Sequence, residues 1–152
     1  MRLIIDGDAC PAKNEVISLA NEYGVEPILI TSVSHYSEYN QCTYIVVDNR
    51  PQAADMEIIN MARREDLVIS GDYGLAALLL KKGADVVSPR GRVYREEKID
   101  ELLMRRHISQ KIRRAGGRHK GPSKYTKDDK EKLLSILKKY FRRKNEIFDE
   151  NI

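Results

Sequence analysis

The sequence predicts an α/β protein, a three-layer sandwich in which a mostly parallel five-stranded sheet lies between helices. Short apolar or β-branched runs alternate with stretches of helical periodicity, and most of the runs are too apolar for strands with one face in water. Repeated alternation implies right-handed crossovers and the strand order 3-2-1-4-5. The predicted strands are residues 3–5, 27–30, 43–47, 67–69 and 84–87.

Capping residues and the periodicity of apolar residues predict which segments between these strands are helices and which are loops. Pro11 can occupy the first turn of a helix, where its missing N–H costs nothing, and Gly24 is a natural end for that helix. The spacing of apolar residues predicts further helices over 52–64 and 75–82. The polar stretch 31–41 has no periodicity and is predicted to be a loop.

Beyond residue 89 the composition changes, which divides the chain into a predicted α/β core (1–89) and a basic helical extension (90–152) that packs on or flanks it. Apolar spacing predicts a helix over 96–106. The segment 115–122 holds three glycines and a proline and is predicted to be flexible. The end of the chain, 142–152, is predicted to be frayed.

The last predicted helix begins with a capping box. Thr126 is the predicted N-cap, and Asp129 lies at the position where an acid can bond back to the cap residue. Apolar residues at helical spacing follow, among them Tyr140 and Phe141, which are predicted to be core residues rather than stacking platforms for bases.

The distribution of charge indicates the class of partner. Residues 1–89 carry 7 basic and 13 acidic side chains, whereas residues 90–152 carry 20 basic and 10 acidic ones. A dense basic region indicates salt-sensitive binding to RNA or single-stranded nucleic acid, although solvated helix surfaces are the alternative. The candidate binding residues are Arg90, Arg92, Arg105, Arg106, Lys111, Arg113, Arg114, Arg118 and Lys120.

Acidic side chains follow two of the predicted strands. Asp6 and Asp8 follow the first strand, and Asp72 follows the fourth after Ser70 and a glycine. In the predicted order these two strands are neighbours at the switch point, where ligands bind in open α/β sheets. Asp55, early in a helix, can reach the same crevice from the side. Each acid alone has a structural alternative as a helix cap or turn residue.

Clustered carboxylates repel unless a cation binds among them. Oxygen ligands without His or Cys favour Mg²⁺ or Mn²⁺ over zinc, and such ions can activate water and clamp phosphate oxygens. The two cysteines form no disulfide framework, and neither a signal peptide nor an apolar run long enough to span a membrane occurs in the sequence. A cytoplasmic location without membrane attachment is therefore predicted.

Several motifs resemble those of the bacterial YaiI/YqxD family, a group of unassigned function. The matching segments are Asp6-Gly7-Asp8-Ala9-Cys10-Pro11, Ala53-Ala54-Asp55, Ile69-Ser70-Gly71-Asp72-Tyr73-Gly74-Leu75-Ala76 and Pro89-Arg90-Gly91. That family is similar to PIN-like nuclease domains, which hold magnesium or manganese with acids at the end of the first strand, in a middle helix and after the fourth strand, and cut RNA.

The resemblance implies a PIN-like fold and places the metal-binding and catalytic roles on three acids. These are Asp6, Asp55 and Asp72, with Asp8 as an extra acid and Ser70 as a supporting hydroxyl. The sequence departs from the PIN pattern in one respect, because a further downstream acid has no clear match unless Asp8 takes its place.

Two other functions stay open at the level of sequence. Asp6-Gly7-Asp8 also resembles the two-aspartate motif of haloacid-dehalogenase-type phosphatases, with Asp6 as nucleophile, Asp8 as general acid, Ser70 as phosphate ligand and Lys81 or Lys82 as charge partner. Alternatively, the protein binds RNA through its basic extension without turnover and uses the acids for folding.

Overall fold

A computed structural model describes residues 1–33, 42–116 and 123–150, with the side chains of 113 and 147–150 excepted. Most of the two predicted loops, 31–41 and 115–122, lies outside these residues. The sheet has five strands: β1 (Arg2–Asp6), β2 (Glu26–Ser32), β3 (Thr43–Val47), β4 (Leu67–Ile69) and β5 (Asp85–Val87). Every neighbouring pair is parallel and the order is β3-β2-β1-β4-β5, which confirms the predicted fold class.

Five helices accompany the sheet: α1 (Lys13–Glu22), α2 (Ala53–Met61), α3 (Tyr73–Lys81), α4 (Glu96–Arg114) and α5 (Lys127–Glu150). The prediction that 142–152 is frayed is wrong as far as residue 150, because α5 continues to Glu150 without a glycine or proline that would end it. For the same reason α4 extends beyond its predicted end at residue 106, to Arg114. None of the helices in the described ranges is long and apolar enough to cross a membrane.

The core consists of two apolar layers, one on each face of the sheet. Leu3 and Ile5 pack with α1 and α5, whereas Ile4, between them, packs with α2 and α3 on the other face. This alternation follows from the period of two along a strand. Ile99 of α4 is buried in the second layer, so the beginning of α4 is held against the α3 side of the sheet.

Helix α5 is part of this core. Its residues Leu133, Leu137 and Phe141 are completely buried, and the Phe141 ring lies 5.8 Å from that of Tyr23. The burial of Phe141 confirms that it is a core residue. The capping box is also present, because the Thr126 backbone N–H donates to Asp129 Oδ2 at 2.9 Å and the Asp129 N–H donates to Thr126 Oγ1 at 3.1 Å.

A turn after β5 joins α5 to the rest of the molecule. Arg90 forms a salt bridge with Asp129 at 2.9 Å, and Tyr125 donates its hydroxyl hydrogen to the Pro89 carbonyl at 2.8 Å. Gly91 has φ +85°, and a Cβ added there would lie 2.7 Å from the Lys132 carbonyl carbon. Glycine is therefore required both by the backbone conformation and by the contact with α5.

Replacing Gly91 by alanine should lower the free energy of unfolding by about 2–3 kcal/mol, because the left-handed conformation is strained and the new methyl group meets the α5 backbone. Urea denaturation measures this cost. The matched control is Gly116→Ala, since Gly116 has φ +81° but nothing within 4 Å of the added Cβ. Equal costs for the two variants would contradict the contact with α5.

Candidate active site

Asp6 is the last residue of β1 and lies at the carboxyl edge of the sheet. Its strand is paired on both sides, with β2 and with β4, and its side chain is only 7% exposed. Ser70, fully buried just after β4, donates its hydroxyl hydrogen to Asp6 Oδ2 at 3.5 Å. The neighbouring strands β1 and β4 thus bring Asp6 and Ser70 together, as the predicted strand order requires.

Gly7 separates Asp6 from the next acid, Asp8, and packs closely against the backbone of β2. The Gly7 N–H donates to the Ile30 carbonyl at 2.7 Å, and a Cβ on Gly7 would lie 2.8 Å from that oxygen. Asp8 then accepts hydrogen bonds at 3.2 Å from Thr31 Oγ1 and from the Ser32 backbone N–H. Its carboxylate is therefore held by the end of β2, and Asp8 is not among the residues that line the cavity beside Asp6.

Asp72 caps α3, as its structural interpretation predicted. Its Oδ1 accepts from the Leu75 N–H at 3.1 Å, and its own N–H donates to Ser70 Oγ at 3.1 Å. Arg106 of α4 donates to the same Oδ1 at 3.5 Å. The Ser70 hydroxyl consequently connects the Asp6 carboxylate to the backbone of Asp72.

Asp55 approaches from the first turn of α2. It is half-buried and belongs to a helix whose N-cap, Gln52, provides no side-chain cap. Burial and the nearby Asp72 raise the pKa of Asp55, while Arg106 opposes that rise. The charges of α2, α3 and α4 therefore act on one another at this edge of the sheet.

The pKa of Asp6 is raised to about 6. Burial is the largest cause, followed by repulsion from Asp55 and Asp8, with a smaller contribution from Asp72 and an opposing one from the Ser70 hydrogen bond. A carboxyl group with this pKa can be ionised or protonated close to neutral pH. Binding of a cation would favour the ionised form and relieve the repulsion.

Asp6, Asp55 and Asp72 line one cavity of about 1280 Å³. The basic side chains that line the same cavity come from the turn after β5 and from α4 and α5: Arg90, Arg92, Arg105, Arg106 and Lys132. Acidic and basic side chains therefore line the same space. This arrangement suits a ligand that carries both phosphate groups and a bound cation.

The predicted basic residues divide into three groups. Arg90, Arg92, Arg105 and Arg106 line the cavity, although the Arg90 guanidinium also pairs with Asp129 and lies 5.8 Å from the centre of the Tyr125 ring. Lys111 and Arg114 are exposed on the later part of α4. The Arg113 side chain, Arg118 and Lys120 lie outside the described residues.

Two aromatic residues of the cavity were not expected from the sequence. Tyr73 and Tyr94 both line it, and their rings meet edge to face with centres 5.7 Å apart. Tyr73 could have been found, because it directly follows Asp72 at the sheet edge. Tyr94 had no local signal, since it arrives through an antiparallel bridge between Val87 and Val93 that folds the chain back along β5.

The residues present fit a hydrated hard cation better than a closed metal cage. In the described part of the chain, no three His, Cys, Asp or Glu side chains are placed to bind one ion together. Magnesium does not need such a group, because it keeps several waters and is often held by one or two carboxylates together with substrate phosphates. The oxygen donors Asp6, Asp55 and Asp72 match that preference.

The phosphatase interpretation receives no support from the lysines. Lys81 and Lys82 lie at the carboxyl end of α3, a helix of nine residues whose other end begins beside Asp72. A helix of that length separates its ends by about 13 Å. Lys82 instead donates to the Ile59 carbonyl of α2, and neither lysine is among the residues that line the cavity.

Proteins of similar sequence are UPF0178 proteins from several bacteria. The chain is 44% identical over 137 residues to one from Clostridium kluyveri, with 90% of each chain covered, and 44% identical over 140 residues to one from Staphylococcus haemolyticus, with 90% of this chain and 95% of that one covered. A Bacillus velezensis relative is 40% identical over 152 residues, which is 99% of this chain and 90% of that one.

Among solved structures, the crystal structure of Rae1 (YacP) from Bacillus subtilis is similar, with 19% identity, a TM-score of 0.46 and coverage of 76% of this chain and 84% of that one. The relation to PIN-like nucleases stays a prediction. The model of the uncharacterized BCR, YaiI/YqxD family matches residues 4–143, and the chain belongs to this YaiI/YqxD family.

Proposed function

We propose that the protein is a divalent-metal-dependent nuclease that acts on RNA or single-stranded nucleic acid. The observation that carries the proposal is the meeting of acids from three separate elements with arginines from a fourth in one cavity. Asp6, Asp55 and Asp72 line this cavity together with Arg105 and Arg106 of α4. Caps alone do not explain why an acid as buried as Asp6 is placed among other acids.

The acids have different roles in this proposal. Asp6 and Asp72 hold the Mg²⁺ or Mn²⁺ ion, with Asp55 as a further ligand or as the acceptor for a bound water. Ser70 fixes the orientation of Asp6 through its hydrogen bond. When bound, the ion supplies charge neutralisation at the phosphodiester and lowers the pKa of a water molecule. Asp8, held by the end of β2, contributes negative potential that acts on Asp6.

The basic and aromatic residues of the cavity lining support a polyanionic, single-stranded substrate. Arg92 and Arg105 are exposed and are positioned to neutralise backbone phosphates, while Tyr73 offers a ring for base stacking. Asp6 is 7% exposed, and α4 lies across the neighbouring α3. A flexible single strand can enter such a cleft, whereas the wide and rigid cylinder of a duplex is a poor fit.

One observation favours a second candidate, an RNA-binding module without turnover. The Asp72 carboxylate already caps α3 and pairs with Arg106, so in this conformation it has structural partners. Such a module would bind RNA with a steep dependence on salt and leave it uncut with every divalent cation.

The central experiment compares cleavage of a labelled single-stranded RNA by the wild-type protein and by Asp72→Asn in Mn²⁺, Mg²⁺ and EDTA. We expect metal-dependent cleavage by the wild type and a loss of at least about 100-fold in the variant, because a ligand charge is removed. Asparagine caps helices as well as aspartate does, so the fold of Asp72→Asn is retained.

The matched control is Asp85→Asn. Asp85 is an exposed acid at the start of β5, and Asp6 lies at the other end of the parallel strands. Replacing Asp85 therefore changes the net charge by the same amount without altering the cavity lining. Its cleavage rate should stay within about twofold of the wild type. Wild-type levels of cleavage by Asp72→Asn would refute the proposed function, and binding without cleavage by the wild type would favour the module.

A further inference from the structure

Arg106 brings a positive charge into the acidic side of the cavity. It lies in the middle of α4, and its Nη1 is 3.5 Å from Asp72 Oδ1. Among the ion pairs that involve described residues, this pair is the one that includes Asp6, Asp55 or Asp72.

Gly74 leaves room for the Arg106 guanidinium to approach the Asp72 carboxylate. A Cβ added to Gly74, in the first turn of α3, would lie 3.3 Å from Asp72 Oδ1 and 4.0 Å from Arg106 Nη1. A larger residue would therefore crowd the space in which carboxylate and guanidinium meet. The packing of α4 against α3 fixes the backbone of the helix that carries Arg106.

The contact is also weak enough to be exchanged. Its distance of 3.5 Å is long for a charge-assisted hydrogen bond, and the Arg106 and Asp72 side chains are 49% and 34% exposed. Exposed ion pairs of this kind contribute little to stability and are screened by water and salt. A divalent cation has twice the charge of arginine and compact geometry, so it is a stronger partner for the same oxygens.

We propose that Arg106 is the exchangeable counter-ion of the acidic cleft, so that Arg106 and a divalent cation compete for Asp72. The inference rests on the metal site of the proposed function. In the metal-free protein Arg106 limits the repulsion of Asp72 with Asp55 and Asp6. Metal binding releases the guanidinium towards the cavity, and the metal affinity of the wild type is lower than the three acids alone would give.

The test is direct titration of the metal-free protein with Mn²⁺. The electron paramagnetic resonance signal of the unbound ion is recorded at each addition and gives the affinity. Arg106→Gln should bind Mn²⁺ about five- to tenfold more tightly than the wild type, because one unit charge next to the ion is removed. Arg106→Lys keeps the charge and should stay within about twofold of the wild type.

Arg105→Gln is the matched control for net charge. Arg105 is the preceding residue on α4 and lines the same cavity, but it pairs with Glu101 at 2.7 Å rather than with an acid of the cleft. We expect its replacement to change Mn²⁺ affinity by less than about twofold. Both glutamine variants alter exposed positions on one helix, and circular dichroism verifies that they are folded.

The outcomes separate this inference from the proposed nuclease. Equal Mn²⁺ affinities for Arg106→Gln and the wild type, or equal gains in Arg106→Gln and Arg105→Gln, would overturn the competition while leaving the nuclease untouched. Tighter Mn²⁺ binding by Arg106→Gln alone, with no cleavage by any variant, would support the competition and count against the nuclease. Failure of all variants to bind Mn²⁺ would overturn both.

Discussion

Replacing Asp6 by asparagine should abolish metal-dependent RNA cleavage and, at the same time, stabilise the metal-free protein at neutral pH. Loss of a metal-binding charge should lower the cleavage rate by at least about 100-fold. Asparagine keeps the size of the side chain and can still accept the Ser70 hydrogen bond. The gain in stability follows from the pKa of Asp6.

The sign of that gain comes from proton linkage. The pKa of Asp6 is about 6 in the folded protein against 3.8 for an unperturbed aspartate, so between these values the folded state binds more protons than the unfolded state. The contribution of Asp6 to stability is therefore most favourable below about pH 4 and is lost as pH rises through 6. At pH 7.5 the loss amounts to about 2–3 kcal/mol.

Urea denaturation of wild type and Asp6→Asn in EDTA at pH 4.5 and pH 7.5 measures this effect. The variant should gain about 2 kcal/mol over the wild type at the higher pH and much less at the lower one. A variant that loses stability at pH 7.5 would contradict the buried, repelled carboxylate.

Asp66→Asn is a control in which removal of a buried carboxylate is expected to lower stability instead of raising it. Asp66 is also buried, but although burial tends to raise its pKa, hydrogen bonds from Arg2 and Arg63 outweigh this and lower it. The Arg2 Nη2 to Asp66 Oδ2 distance is 2.6 Å. Removing this charge should destabilise the protein by about 3 kcal/mol, because Arg2 loses its partner.

Phe141→Ala should be the most destabilising substitution in α5, with a loss of about 3–5 kcal/mol in the free energy of unfolding. Phe141 is completely buried against Tyr23 and the α1 face of the sheet, so alanine leaves a cavity that the neighbours fill only in part. A loss of this size is a large fraction of the stability of a typical domain.

Thermal and urea unfolding of Phe141→Ala measure the loss, with Lys138→Ala as the control on an exposed position of the same helix. The control should lie within about 0.5 kcal/mol of the wild type. Equal stability of both variants would mean that α5 does not belong to the core. In that case α5 would not line the cavity either.

The sheet was predictable because its signals are local. Runs such as Leu3 to Ile5 and Leu67 to Ile69 are too apolar for a strand with a wet face, and the parallel alternation with helices leaves few topologies. The meeting of Asp6 with Ser70 and Asp72 then followed from strand order alone. The capping box at Thr126 was predictable for the same reason, since all its contacts lie within one turn.

Other features depend on contacts between residues far apart in the sequence. Asp6 and Asp8 look like an equivalent pair in the sequence, but only Asp6 lines the cavity, because Asp8 is hydrogen-bonded to the end of β2, which packs against Gly7 through Ile30. Likewise, Arg106 is one of many basic residues in its region. Its contact with Asp72 across 34 positions of sequence follows from the packing of α4 on α3.

The buried face of α5 has a consequence for the order in which the fold forms. Because Leu133, Leu137 and Phe141 cover apolar residues of β1 and α1, this face of the sheet is shielded from water only when segments far apart in the sequence have met. Contacts of such long sequence separation form late and slowly. The cleft beside Asp6 therefore acquires the part of its lining that α5 provides, Asp129 and Lys132, only after these distant segments have packed together.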